Sequence, residues 1–147
     1  MRVMETRITG PEGMQIEARE FLLKLTPHSD RATVVALSGD LGAGKTTFVK
    51  GIAHELGLET HVTSPTFVIM KIYDLEGQKF ERLIHIDAYR LKGMHHLKVL
   101  GWDALLNNPH NLIFIEWPEM IAPAIPEDAI RIALSYSEDT ARTITYG

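Results

Sequence analysis

No cysteine occurs among the 147 residues. That excludes disulfides and thiolate metal sites, and it agrees with a reducing, cytoplasmic setting. No apolar run approaches the roughly 20 residues needed to cross a bilayer, and the N-terminus lacks a signal-peptide pattern, so no membrane association is expected. An excess of basic charge is also missing. Fifteen Lys and Arg stand against nineteen Asp and Glu, a net charge of −4, so no global field draws the chain to DNA or other nucleic acid. Internal repeats, low-complexity tracts and linkers are lacking as well, and residues 1–147 read as one domain with 45 % hydrophobic and 23 % charged residues.

The most informative stretch present is TVVALSGDLGAGKTTFVKGIAHELGL, Thr33 to Leu58. Val34, Val35, Ala36 and Leu37 form a short apolar run suited to a central parallel strand. Gly39, Asp40, Leu41, Gly42, Ala43, Gly44, Lys45 and Thr46 then match the phosphate-binding pattern G-x-x-x-x-G-K-S/T, with Thr47 following. Glycines let the backbone curl so that its N–H groups face phosphate oxygens, and the positive end of the following helix points at the same place. Lys45 can reach the β- and γ-phosphates, and the Thr46 hydroxyl can ligate Mg²⁺. Phe48, Val49, Ile52, Ala53 and Leu56 share a helical face, and Gly57 stands where a C-terminal cap belongs. These residues predict a nucleoside-triphosphate-binding α/β protein.

Around this unit, Met1 to Ile8 predicts a short edge strand. Thr9 to Glu12 predicts a capping box opening a helix to about Leu25. Thr63, Ser64, Pro65 and Thr66 read either as a polar turn or as a switch-like loop near the γ-phosphate. Phe67–Tyr73 and Phe80–Asp87 predict a β-hairpin around Asp74–Gln78. Asp74 to Gly77 also spells D-x-x-G, but no N-K-x-D segment follows to read guanine, so the hairpin turn is preferred. Asp87 ends an apolar strand, where a carboxylate meets a metal or its bound water; a helix cap or an ion pair with Arg90 is the plainer reading. Leu91–Asn108 reads as mainly helical, and its adjacent His95 and His96 point apart, which argues against a metal site. Asn111–Glu116, NLIFIE, is a second apolar strand ending in an acid and the best candidate for a Walker B strand, with Trp117 next to it. Ala129–Tyr136 and Ala141–Tyr146 predict a closing hairpin.

GDLGAGKTTF, TSPTF, HIDAYRL and IEWPE, in that order, together resemble the TsaE (YjeE) family of small bacterial ATPases in tRNA threonylcarbamoyladenosine synthesis. The resemblance runs from about Thr9 to Arg142, with Ala88 standing where the family usually has leucine. It implies a P-loop NTPase fold, α/β in three layers, whose central sheet mixes parallel and antiparallel strands. It also implies that Gly39 to Thr47 hold ATP and that Thr46 and Glu116 set Mg²⁺. Asp87 would act beside them in hydrolysis, directly or through a water on the metal. Thr63 to Thr66 would be the switch-like loop, with Trp117 packed beside the site and Tyr89 and Arg90 in support. Adenine would lie between Glu12 and the terminal hairpin near Glu138. The expected partner is a TsaB–TsaD complex, with tRNA met weakly or indirectly.

The chemistry expected is Mg²⁺-dependent ATP hydrolysis, with Lys45, Asp87 and Glu116 as catalytic groups. The residues leave open whether Asp87 or Glu116 orients the attacking water. They also leave open whether Arg90 serves as an arginine finger or only pairs with Asp87. Two other readings remain. A small-molecule kinase would need a lid carrying several arginines, whereas Tyr89 to Asn111 holds only Arg90. A nucleotide-dependent binding module would use ATP to order a partner surface without significant turnover.

Overall fold

A computed structural model describes residues 4–40, 43–58, 69–136 and 141–147. Among them, seven strands form one sheet in the order β1-β7-β6-β2-β5-β4-β3. The strands are β1 (Met4–Thr9), β2 (Thr33–Gly39), β3 (Met70–Asp74), β4 (Arg82–Asp87), β5 (Asn111–Glu116), β6 (Ile130–Tyr136) and β7 (Ala141–Tyr146). The helices are α1 (Gly10–Lys24), α2 (Lys45–Glu55), α3 (Met94–Val99) and α4 (Trp102–Leu106).

Four strands at the centre are parallel. β2 pairs with β5 and with β6, and β5 pairs with β4. Their apolar runs follow from burial on both faces. β3 closes one side antiparallel to β4, and the β6–β7 hairpin with β1 closes the other. The mixed α/β sheet is thus the one expected, and both hairpins and the edge strand are present.

Alternation along the strands sends side chains to two cores. Val35, Leu37, Leu83, Leu112 and Phe114 pack with Met14 and Phe21 of α1 and with Phe48 and Ile52 of α2. Val34, Ala36, Ile84, Ile86, Ile113 and Ile115 pack on the opposite face with Leu97, Trp102, Ile121 and Ile125. Phe21, Phe48 and Phe114 knit helices to sheet, with ring centroids 5.7 to 6.4 Å apart. Such pairs contribute about 0.5–1.5 kcal/mol each beyond area burial.

Local rules explain the helix ends. Gly57, at φ +81°, follows α2. There the amides of Gly57 and Leu58 donate to His54 and Ala53 carbonyls at 3.0 Å, a Schellman closure. The capping box at Thr9 does not form. Thr9 is the N-cap, but its side chain makes no cap bond; Pro11, pre-set for a first helical turn, opens α1 instead. The 91–108 segment is mainly helical, as expected, and Gly101 at φ +80° separates α3 from α4.

Candidate active site at the carboxyl edge of the parallel strands

β2, β4 and β5 run the same way, so Gly39, Asp87 and Glu116 close their strands at one edge of the sheet. Leu37 is registered with Glu116, and Glu116 with Asp87. In parallel α/β sheets this edge is where ligands bind. α2 starts at the same edge, after Gly44 at φ +107°.

Gly39 ends β2 at φ +145°, and any Cβ there would collide with the Leu134 carbonyl oxygen on β6. Only glycine lets the phosphate-loop backbone leave the sheet so closely against its neighbour. The Ala43 amide donates to the Asp40 carbonyl at 3.0 Å. Lys45 opens α2 and is 4 % exposed. Its Nζ donates to the Gly39 carbonyl at 2.7 Å and lies 3.6 Å from the centroid of the Trp117 ring. Burial pulls the Lys45 pKa down, against the opposing pull of Glu116, Glu119, Asp87 and Asp40. Thr46 is half-buried and Thr47 exposed.

Glu116 is 5 % exposed, and its Oε2 accepts from His85 Nε2 at 2.5 Å. Asp87 stands one strand further from the loop. Its Oδ1 accepts from the Tyr89 amide at 3.1 Å, capping a 3-10 turn over Ala88–Arg90. Arg90 Nε lies 3.7 Å from its Oδ2. Burial raises the Asp87 pKa; the Tyr89 hydrogen bond opposes that, and nearby Glu116 adds to it. Trp117 adopts φ 59° and ψ 51°, the only described non-glycine residue at positive φ. That turn throws its indole back over Lys45, and Tyr89 packs on its other neighbour space at 5.4 Å between centroids.

The structure therefore brings together Gly39, Asp40, Ala43, Gly44, Lys45, Thr46, Thr47, Asp87, Glu116 and Trp117, with Tyr89 and Arg90 beside them. Arg90 pairs with Asp87. Leu41, Gly42, Thr63, Ser64, Pro65, Thr66 and Glu138 lie outside the described residues. Glu12 is exposed in the first turn of α1, and Thr9 is registered with Ala141, so that turn stands beside the terminal hairpin. Sequence reasoning overlooked His85 and Glu119. The signal for His85 was in LIHID: a polar side chain two residues before Asp87, hence on the same face of an otherwise apolar strand.

Among the described residues no three His, Cys, Asp or Glu side chains converge to hold a metal. Mg²⁺ requires less, because it binds through one or two protein groups plus substrate phosphates. Thr46, Glu116 and Asp87 fit that requirement.

The chain matches the family model described as "Threonylcarbamoyl adenosine biosynthesis protein TsaE" over residues 14–144. It is 33 % identical to the Bacillus subtilis tRNA threonylcarbamoyladenosine biosynthesis protein TsaE, covering 99 % of this chain and 86 % of that one. The Haemophilus influenzae protein of the same name is 37 % identical, over 85 % of this chain and 75 % of its own. Among solved structures, the crystal structure of Bacillus subtilis YdiB superposes with a TM-score of 0.77 at 30 % identity, covering 99 % of this chain and 84 % of that chain. Covering most of the chain's length, these matches place it in the TsaE family of tRNA threonylcarbamoyladenosine biosynthesis.

Proposed function

We propose that the protein is a Mg²⁺-dependent ATPase serving tRNA threonylcarbamoyladenosine synthesis through a TsaB–TsaD-type complex, without transferring the group itself. The observation that carries this reading is the convergence of the phosphate loop, Lys45, Glu116 and Asp87 on one sheet edge. Loop amides and Lys45 bind the phosphates and neutralise charge spreading onto the γ-phosphoryl oxygens as water attacks and ADP leaves. Thr46 and Glu116 hold Mg²⁺. When bound, the ion would supply positive charge to the phosphates.

Asp87 orients the attacking water. Glu116 sits on β5, directly beside the phosphate-loop strand, and heads the acids that act on Lys45. Asp87 lies one strand beyond, and its raised proton affinity suits a base. Arg90 is engaged by Asp87, which supports slow turnover by the lone chain and completion of the site by a partner. Exposed Tyr89 and Met120, on the segments that follow β4 and β5, offer apolar surface beside the site for that contact.

The test is ATP turnover by the purified protein, alone and with a TsaB–TsaD complex, together with Lys45→Ala and Glu116→Ala. Slow basal turnover that rises with the complex and disappears in both variants is the expected result. Nucleotide binding without turnover in either setting would replace the ATPase with a nucleotide-dependent binding module.

A further inference from the structure

We propose that His85 is a positioning residue that fixes the Glu116 carboxylate for metal binding. The proposal rests on the reading that Glu116 helps to hold Mg²⁺ beside a bound nucleotide. His85 is completely buried on β4, one strand away from Glu116 and on the same face of the sheet. A carboxylate only accepts, so the imidazole hydrogen sits on Nε2 and is donated to Oε2. Nδ1 is buried and has no hydrogen-bond partner. Among the described residues the Glu116 side chain makes no other hydrogen bond, so Oε1 is the oxygen that would meet a cation.

The pair is not a good way to stabilise a sheet. A buried imidazole with one unsatisfied nitrogen beside a buried acid is costly, and β4 is otherwise filled by Leu83, Ile84 and Ile86. Its physical effect is instead geometric. Glutamate has three side-chain torsions, and one hydrogen bond at Oε2 selects the rotamer that presents Oε1 to the sheet edge. Asp87, shorter and already held by the Tyr89 amide, has no need of such a tether. Hydrogen-bond partners of metal-binding side chains commonly change metal affinity by about 10- to 100-fold when removed.

The experiment compares wild type with His85→Phe, His85→Gln and Glu116→Ala. His85→Leu serves if phenylalanine is not accommodated. Calorimetry measures binding of the non-hydrolysable analogue AMP-PNP in EDTA and across a Mg²⁺ titration, with turnover followed in parallel. In His85→Phe, affinity in EDTA stays within about twofold of wild type while the Mg²⁺ half-saturation point rises about 10- to 100-fold. Glutamine, whose amide can donate to Oε2, restores most of the loss. Adding His85→Phe to Glu116→Ala causes no further change, because the histidine acts through the glutamate. Wild-type Mg²⁺ half-saturation in His85→Phe, or a glutamine variant as impaired as phenylalanine, overturns the proposal. A wild-type protein that binds AMP-PNP without regard to Mg²⁺ overturns the metal-site reading itself and takes this proposal with it.

Discussion

Lys45 is held in a place that costs the folded protein stability. Burial lowers its proton affinity, while the unfolded chain keeps the ordinary value of 10.5. The unfolded state therefore binds that proton more tightly. Stability rises with pH between the two pKa values, and at neutral pH the cost of the buried charge is fully present. Lys45→Met, which keeps the stem and removes the charge, is expected to raise nucleotide-free stability at pH 7 by about 1 kcal/mol. In a thermal melt this is a gain of about 3 °C that shrinks as pH approaches 10, with loss of any shift on adding ATP. A lower melting temperature would mean that the Gly39 carbonyl and the Trp117 ring outweigh the desolvation. Gly39 is the opposite case, a residue that stability and site both require. Gly39→Ala drives a Cβ against the Leu134 carbonyl at a positive φ and is expected to cost about 3 kcal/mol or more in urea unfolding. A cost below 1 kcal/mol would show that β6 yields. At this scale the common placement of Gly39, Asp87 and Glu116 was legible, because three apolar runs that end in a glycine or an acid become parallel strands closing at one sheet edge. For His85 the sequence showed only a polar residue on the same strand face as Asp87; its contact with Glu116 depends on the β4–β5 pairing, which no single strand reveals.

At the scale of elements, α1 and α2 cross where one residue of α2 has no side chain. A Cβ on Gly51 would stand 3.0 Å from the Ala18 Cβ, and Gln15 donates to the Gly51 carbonyl at 3.3 Å and to Glu55 at 2.8 Å. Gly51→Ala sets a helix-propensity gain of about 1 kcal/mol against a contact that a few tenths of an ångström relieve, so it is expected to be near neutral. Gly51→Leu forces the helices apart and is expected to cost about 2–3 kcal/mol. Chemical denaturation of both variants checks this; a leucine variant as stable as wild type would mean that α1 shifts freely on α2. The close approach was invisible in the sequence, since Gly51 resembles any helix-weakening glycine. What was visible were β2 and β5, whose unbroken apolar runs admit only double burial, and the hairpins, whose alternation and turn residues agree. The misread cap failed for a local reason. Thr9 and Glu12 have capping-box spacing, yet the Thr9 side chain makes no cap bond and Pro11 opens α1.

For the whole molecule, the four parallel strands bring the phosphate-loop strand, Asp87 and Glu116 to one edge, and antiparallel β3 on one side and β7 and β1 on the other extend the sheet. That edge is acidic. Asp40, Asp87, Glu116 and Glu119 all act on one lysine, and the chain's net charge of −4 adds to the same sign. On the proposed reading, a triphosphate entering alone would meet repulsion that the loop amides and Lys45 must overcome, whereas one entering with Mg²⁺ would bring compensating positive charge. Binding to the folded state alone stabilises it by about 2.7 kcal/mol at a hundredfold excess over Kd, and each kcal/mol is worth about 2–4 °C in a chain of this size. A thermal melt with ATP and Mg²⁺ is therefore expected to rise by roughly 5–10 °C at that excess. ATP in EDTA at the same concentration is expected to give a smaller rise, and raising salt should narrow the gap between the two by screening the acids. Equal shifts with and without Mg²⁺ would mean that the loop and Lys45 carry the nucleotide unaided, and that the acids at this edge act on the reaction rather than on binding.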